Sequence, residues 1–277
     1  MRRIAGYASA FLIIDGAFTA FSQIDVVLIG AIISVTAVGR FQAPLRLVTF
    51  LGYTGTAAAS GVGPRVARGR EGPDTETFER ALRRLMAIQG VFMAPLLVWA
   101  EPITRIALGR DYAQSAGVLR ALAPFAFLLA ISPVLARGVN YLGEARLRIP
   151  IAVATVLLNL GFDLVFLPKI GIVAGALGTD LAYAVYVGAH LWICRRMLGT
   201  ELKPLALTFG RAMLGAAAMS AVLFAFGTGT DVAIPLLIGG WVLGVIVYAG
   251  VMVATGELTR AELVSGWRRV RAALRRA

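Results

Sequence analysis

The chain has 277 residues, of which 58% are hydrophobic and 15% are charged, and its mean hydropathy is +0.79. Soluble domains carry roughly 25% charged residues, so this composition excludes an ordinary soluble domain and a disordered chain. The net charge of +12 arises from 27 basic against 15 acidic residues; because the basic residues gather between apolar runs, they indicate membrane topology and contact with anionic lipid instead of nucleic acid.

The apolar residues form eight runs, each close to the ~20 residues that cross a bilayer as a helix. They do not alternate with polar residues as the strands of a membrane β-barrel do. We therefore expect an all-α polytopic membrane protein with about eight transmembrane helices. The predicted spans are 4–30, 38–62, 85–100, 118–136, 149–167, 171–194, 205–226 and 232–254. Pro124 and Pro133 predict a kink in the fourth span.

Small residues in the later spans predict close helix contacts. They are Gly171, Gly175 and Gly178 in the sixth span and Gly240 and Gly244 in the eighth. The chain has one cysteine, Cys194, and one histidine, His190. We therefore expect no disulfide within the chain, no zinc or haem site and no other cofactor.

The distribution of basic residues predicts the orientation. Alternate assignment of the loops places 21 Lys and Arg on one side of the membrane and 4 on the other, with Arg40 and Arg46 inside the second span. The positive-inside rule then puts both termini in the cytoplasm. On that side the i,i+4 pairs of 74–84 indicate a helix, and 256–277 indicates a basic amphipathic helix on the anionic inner leaflet.

Polar side chains follow one face of four spans, with a spacing of three or four residues. Such residues in lipid mark functional sites by default. We expect a shared hydrated cavity lined by these four stripes, which are Asp15, Thr19, Ser22 and Gln23 with Asp25 beyond; Arg46, Thr49, Tyr53 and Ser60; Thr155, Asn159 and Asp163; and Asp180, Tyr183, Tyr186 and His190. Asp15 and Arg46 lie near mid-membrane, which is consistent either with a mutual ion pair or with binding of charged cargo.

Several segments together resemble one protein family. The segments are DVVLIG at 25–30, VGRF at 38–41, IALGRDY at 106–112, YLGEAR at 141–146 and LPKIGIVAGALGT at 167–179. In order and spacing they resemble the second lobe of polysaccharide flippases, whose superfamily also contains multidrug antiporters. The resemblance implies a six-helix lobe at 1–200, two additional transmembrane helices at 201–255 and a cytoplasmic tail at 256–277.

The resemblance also implies a function and a set of sites. It implies translocation of undecaprenyl-pyrophosphate-linked oligosaccharides by alternating access in the bacterial cytoplasmic membrane, as half of a full transporter, and no enzymatic activity. The missing lobe is then a separate chain or a second copy. Arginines suit a pyrophosphate and tyrosines suit sugars, and buried acidic groups suit a coupling proton or sodium ion. The candidate cargo residues are Arg46, Tyr53, Arg120, Tyr183, Tyr186 and Arg211, and the candidate ion-coupling residues are Asp15, Asp25, Asn159, Asp163 and Asp180.

Three alternatives remain open from the sequence. A cation-coupled multidrug antiporter of the same superfamily needs acidic residues that face the cavity. A truncated, non-transporting remnant has the same sequence features as a working half. A membrane-embedded enzyme of polysaccharide assembly is less well supported, because the longest outer loop, 101–117, is short and contains no His or Cys.

Overall fold

A computed structural model of the chain describes residues 2–67, 74–141, 145–230 and 232–259. Within these ranges the protein is helical and contains no strand, which confirms the predicted all-α class. The helices are α1 (Arg2–Ile32), α2 (Val35–Ala67), α3 (Thr75–Val98), α4 (Ala100–Leu108), α5 (Ala116–Ala121), α6 (Ala123–Tyr141), α7 (Arg148–Ile170), α8 (Val173–Leu198), α9 (Leu202–Ala225) and α10 (Ile234–Ala254). Short 3₁₀ turns occupy Arg110–Ser115 and Ala145–Leu147.

Eight of these helices are long, and each contains most of one predicted span. In the described residues, six segments are long and apolar enough to cross a membrane: Leu12–Ile32, Thr75–Val98, Ala123–Asn140, Ala145–Ile170, Leu202–Ala225 and Ile234–Ala254. The long helices α2 and α8 are not among these six, and they carry the polar stripes that contain Arg46 and Asp180. The protein is therefore a multi-pass membrane protein.

Two predicted boundaries need correction. The predicted cytoplasmic helix 74–84 and the third span form one continuous helix, α3, which Asp74 caps by accepting the N–H of Thr77 at 2.9 Å. The fourth span instead consists of two helices, α5 and α6, separated at Leu122. Pro124 has no N–H to donate to the carbonyl group of Arg120, so the helix is interrupted just before it. Pro133 lies inside α6 without ending it.

The helices form a bundle with two apolar cores. The larger core joins α1, α2, α3, α6, α7 and α8, and α2 packs chiefly on α6 while α1 packs on α7. The smaller core joins α9 and α10 to α3 around Met219, Leu223 and Tyr248. The two final helices thus pack against α3 on one side of the bundle. The predicted division at residue 200 stays a prediction, and the predicted tail after residue 259 lies outside the described residues.

The predicted glycine faces pack inside the chain. A Cβ at Gly175 would lie 3.1 Å from Phe41, a Cβ at Gly240 2.9 Å from Trp99 and a Cβ at Gly244 3.0 Å from Met219. The prediction of close helix contacts is confirmed for Gly175, Gly178, Gly240 and Gly244, whereas Gly171 follows the end of α7 and has open space at its Cβ position. Because these contacts are intramolecular, the glycines give no support to self-association.

Antiparallel alternation brings the basic connections to one end of the bundle, which we call the arginine-rich end. It comprises the α2–α3, α6–α7 and α8–α9 connections and the residues after α10. Contacts between distant segments hold it together: Thr75 donates to the carbonyl group of Leu198 at 2.8 Å, and Arg83 donates to Glu257 at 2.9 Å.

Candidate functional site

Four polar side chains from three helices meet in the interior and form what we call the polar cluster. Asp25 comes from α1, Asn159 and Asp163 from α7, and Thr179 from α8, and all four are buried. One oxygen of Asp25 accepts a hydrogen bond from Nδ2 of Asn159, and the other accepts one from Oγ1 of Thr179 at 2.8 Å. Asp25, Asn159 and Asp163, three of the ion-coupling residues predicted from the sequence, thus lie together in the interior.

The cluster has unused oxygen atoms. Among the described residues, Oδ1 of Asn159 and both carboxylate oxygens of Asp163 are buried without a hydrogen-bond partner. Gly178 makes room for them, since a Cβ there would lie 2.7 Å from Oδ1 of Asp163 and 3.1 Å from Oδ1 of Asn159. Two neighbouring carboxyl groups in a buried site cannot both stay charged and unpaired. The arrangement can therefore hold a proton or a small hard cation, for which oxygen ligands are preferred.

The first two polar stripes face each other across an open groove between α1 and α2, which we call the polar groove. Its volume is about 430 Å³. Its lining residues are Ser22, Gln23, Val26, Gln42, Leu45, Arg46, Thr49, Phe50 and Tyr53. Arg46 is exposed, and the ring of Tyr53, 63% exposed, stands edge-on to Phe50. Arg46 and Tyr53 thus lie together where a polar cargo has access.

Asp15 and Arg46 do not pair with each other in the described part of the chain. α1 and α2 form an antiparallel hairpin, so Arg46, which is 11 residues into α2, stands level with Phe21, 11 residues before the end of α1. Asp15 stands about six residues, or ~9 Å, further along the hairpin. In this conformation the structure therefore rules out a mutual ion pair between Asp15 and Arg46, the first of the two explanations that the sequence offered for these charges.

Tyr183 and Tyr186 do not line the polar groove, so the structure gives no support to their prediction as cargo residues. Both are buried in the larger core, and the Tyr183 hydroxyl bonds to Ser132 at 3.0 Å. The Tyr186 hydroxyl accepts a hydrogen bond from buried Arg148 at 3.0 Å. Arg148 also donates to Asn140 and His190, at 2.9 Å and 3.2 Å.

Sequence reasoning missed Arg148, which it treated as a topology arginine. Its position at the start of a span does not distinguish it from an arginine in a loop.

Arg120 and Arg211 also lie away from the polar groove, so the prediction that they contact cargo is not supported. Arg120 donates to the carbonyl group of Leu97 at 3.0 Å and approaches Glu101 at 3.5 Å. Arg211 pairs with Glu257 at 2.8 Å, at the arginine-rich end. Both guanidinium groups are thus engaged within the protein.

Asp180 does not join the polar cluster, although its neighbour Thr179 does. Successive residues of a helix point about 100° apart, and Asp180 faces the backbone of Phe125 on α6. Asp15 is likewise apart from the cluster, on the exposed face of α1. In the described ranges, no group of three or more His, Cys, Asp or Glu side chains is placed to hold a metal ion.

The sequence is similar to that of a probable flippase. No family model matches the chain. Over 234 residues it is 24% identical to a probable low-salt glycan biosynthesis flippase of Haloferax volcanii, an alignment that covers 82% of this chain and 49% of the relative. The chain thus spans about half the length of this curated relative.

Solved structures share the fold. The inward closed conformation of the lipid II flippase MurJ matches with a TM-score of 0.70 at 18% identity, covering 83% of this chain and 50% of MurJ. An outward-facing multidrug resistance MATE family transporter of the MOP superfamily matches with a TM-score of 0.57 at 20% identity, covering 91% of this chain and 65% of the transporter. The resemblance found in the sequence is confirmed: the chain is similar in sequence to a probable glycan biosynthesis flippase, and it shares the fold of about half of MurJ and of a larger part of the MATE family transporter.

Proposed function

We propose that this chain is the second lobe of a flippase for lipid-linked oligosaccharides. The observation that carries the proposal is the meeting of two unlike grooves at Phe50. On one side of this residue lies the polar groove, with Arg46 and Tyr53. On its other side lies an apolar groove of about 540 Å³, bounded by α2, α3, α4 and α10.

The apolar groove suits a long hydrocarbon chain. Its walls include Leu47, Pro95, Trp99, Ile238 and Trp241, and they expose almost no polar surface. Arg46 and Leu47 are neighbours on α2, so a molecule with a charged head and an apolar tail can occupy both grooves at once. A polyprenyl pyrophosphate that carries a glycan has this character, with the pyrophosphate at Arg46 and the prenyl chain along α10.

The polar groove is open on one side in the isolated chain, and we propose that a second lobe covers it. The chain aligns with only about half the length of the glycan flippase and of MurJ, which supports this arrangement. The covering lobe is either a separately encoded partner or a second copy of this chain. Alternating access then moves the two lobes about the cargo, in a cell membrane with both termini of this chain on the cytoplasmic side.

We further propose that the polar cluster couples transport to a proton or sodium gradient. Its three unpartnered buried oxygens and its two adjacent carboxyl groups support this role. Of the ion-coupling residues predicted from the sequence, Asp25, Asn159 and Asp163 belong to this cluster.

A cation-coupled multidrug antiporter is the second candidate. The match to a MATE family transporter and the exposed carboxylate of Asp15 favour it. Such a protein binds organic cations, whereas a flippase of the proposed kind binds an anionic lipid. The two candidates therefore differ in the sign of the charge on their cargo.

Binding to the purified chain tests the proposal. Native mass spectrometry should detect a polyprenyl-pyrophosphate-linked oligosaccharide on the chain and detect much less of the free oligosaccharide or an organic cation. Arg46→Ala should weaken binding of this lipid by removing the contact with its pyrophosphate. Ile238→Ser should weaken it by disturbing the contact with its prenyl chain. Phe224→Ser is the matched control, because Phe224 is 69% exposed on α9 and lines neither groove. Stronger binding of the organic cation would instead support the antiporter.

A further inference from the structure

A third groove lies between the ends of α7 and α8 at the arginine-rich end, and we call it the α7/α8 groove. It has a volume of about 610 Å³. Its walls are mostly apolar and include Pro150 and Ile151 from α7 and Ile193 from α8. It shares no lining residue with the polar or the apolar groove, so it is separate from the proposed cargo path.

The rim of this groove has the chemistry of a membrane interface. Trp192 is 58% exposed, and the guanidinium group of Arg196 stacks over its ring, 5.6 Å from the centroid. Tryptophan and arginine at helix ends lie at the level of lipid headgroups, with the charged tip in the polar layer. The apolar floor then lies at the level of the acyl chains.

The charge around the groove is positive and not neutralised by the described residues. Arg146, Arg195 and Arg196 are exposed here, and no carboxylate among the described residues pairs with Arg195 or Arg196. Glu79, a carboxylate at the same end, accepts the backbone N–H of Glu201 at 2.7 Å. An occupant with an acyl chain and a negative headgroup therefore complements both the floor and the rim.

We propose that the α7/α8 groove binds one anionic phospholipid of the adjoining leaflet. Its phosphate contacts Arg196, and one acyl chain packs along Ile151 and Ile193. The bound lipid braces α7 against α8, the helix pair that supplies Asn159, Asp163 and Thr179 to the polar cluster. The site does not depend on the proposed cargo, because the two positions share no residue.

Quenching of tryptophan fluorescence by brominated lipid tests this proposal. The chain is reconstituted in phosphatidylcholine vesicles that contain an equal mole fraction of either brominated phosphatidylglycerol or brominated phosphatidylcholine. The quenching that Trp192 contributes is the difference in quenched fluorescence between the unaltered chain and Trp192→Phe. We expect the anionic lipid to be preferred about fivefold at this position, the preference that one arginine confers at an anionic surface.

Two variants decide the outcome. Arg196→Gln should reduce the preference to near parity, whereas Arg110→Gln, which removes an equal charge from an exposed turn at the other end, should leave it unchanged. Equal quenching by both lipids in the unaltered chain, or a preference that survives Arg196→Gln, would overturn the proposal. If Trp192→Phe fails to fold, native mass spectrometry gives the same comparison. It counts the phosphatidylglycerol molecules that stay bound to the unaltered chain and to Arg196→Gln. Displacement by a polyprenyl pyrophosphate would assign the groove to the cargo and also overturn the proposal.

Discussion

Thr179 donates its hydroxyl hydrogen to a carboxylate oxygen of Asp25 across 2.8 Å and so joins α8 to α1. Asn159 of α7 donates to the other oxygen of the same carboxylate. Asp25 lies two and three residues after Gln23 and Ser22, which line the polar groove. In the proposed coupling, a proton or cation that enters the cluster would act on α1, the helix that forms one wall of the polar groove.

The first prediction concerns the cation response. If the cluster binds sodium, NaCl should raise the thermal midpoint of the purified chain more than choline chloride does, by about 1.4 kcal/mol of stability for each tenfold increase in sodium above the Kd. Asp163→Asn should abolish this difference, because it removes a charge that the cation neutralises. Thermal scans at constant ionic strength measure it.

Asp180→Asn is the matched control for that experiment. Asp180 is the next residue on α8 after Thr179 but faces α6, so its variant should keep the sodium response. If Asp180→Asn lost the sodium response and Asp163→Asn kept it, the coupling site would have to be assigned to Asp180 instead of the polar cluster. A response to pH alone, with none to sodium, would identify the proton as the coupling ion.

The second prediction tests the geometry of the cluster without removing any ligand. Gly178→Ala places a methyl group against Asp163 and Asn159, so it should displace their oxygens and weaken the cation response. Gly188→Ala on the same helix has open space around its added carbon and should be neutral or stabilising by up to about 1 kcal/mol. Equal responses in the two variants would contradict the role of Gly178.

The third prediction concerns the cargo. Arg46→Ala should lower the affinity for a lipid-linked pyrophosphate about 10- to 100-fold, the range expected for loss of a hydrogen bond between charged groups. Arg46→Lys should recover only part of it, since an ammonium group lacks the planar fork. Arg40→Ala is the control, because Arg40 lies on the same helix and donates to Gln114. Equilibrium binding in detergent measures these differences.

The separation of Asp15 and Arg46 along the hairpin gives this prediction a second test. Arg46→Glu combined with Asp15→Arg should not recover binding or transport in an assembly that contains both lobes. Recovery of folding and transport together would reveal a direct ion pair in the working protein and contradict the assignment of Arg46 to the cargo.

The fourth prediction concerns the clamp around Glu257 at the arginine-rich end. Burial on its own raises the pKa of Glu257, but hydrogen bonds from Thr208, Arg211 and Arg83 outweigh it and hold the pKa below its usual value. The clamp should therefore stabilise the protein fully above the ordinary pKa of a glutamic acid. This stability should be lost as the pH falls through the lowered pKa.

Glu257→Gln should remove this pH dependence and cost about 1.5–3 kcal/mol at neutral pH, the range for hydrogen bonds to charged groups. Glu76→Gln is the control: the Glu76 carboxylate is 82% exposed and pairs with Arg80, so its loss should cost at most about 1 kcal/mol. Thermal midpoints measured from pH 3 to pH 7 report both effects. An acid transition unchanged in Glu257→Gln would show that other groups control it.

The fifth prediction concerns orientation. The native Cys194 is buried, so an impermeant maleimide should react chiefly with introduced cysteines. The positive-inside rule predicts that the arginine-rich end faces the cytoplasm. In intact cells, Asp111→Cys should therefore react from outside, and Glu76→Cys should react only after the membrane is opened. Labelling of Glu76→Cys in intact cells would reverse the topology.

Local patterns in the sequence were enough to predict the helices and one part of the site. Continuous apolar runs predicted the eight long helices, since length and hydropathy depend only on neighbouring residues. The spacing of Asn159 and Asp163 placed them on one face of α7, which the structure confirms. The structure joins 74–84 and the third span in one helix, and it interrupts the fourth span just before Pro124, one of the two prolines at which the sequence predicted a kink.

The sequence by itself determined the all-α membrane class, the number of long helices and the asymmetry of basic charge. Only the tertiary structure decided which polar residues meet. Asp25 is separated from Asn159 and Thr179 by 134 and 154 residues, and no periodic pattern relates positions so far apart. Tyr186 belongs to a polar stripe with helical spacing, as a residue that lines a cavity would. In the folded bundle, however, it is buried against Arg148. Packing depends on the shapes of all the contacting side chains together, such as the space left by Gly178, and that is a property of the folded bundle.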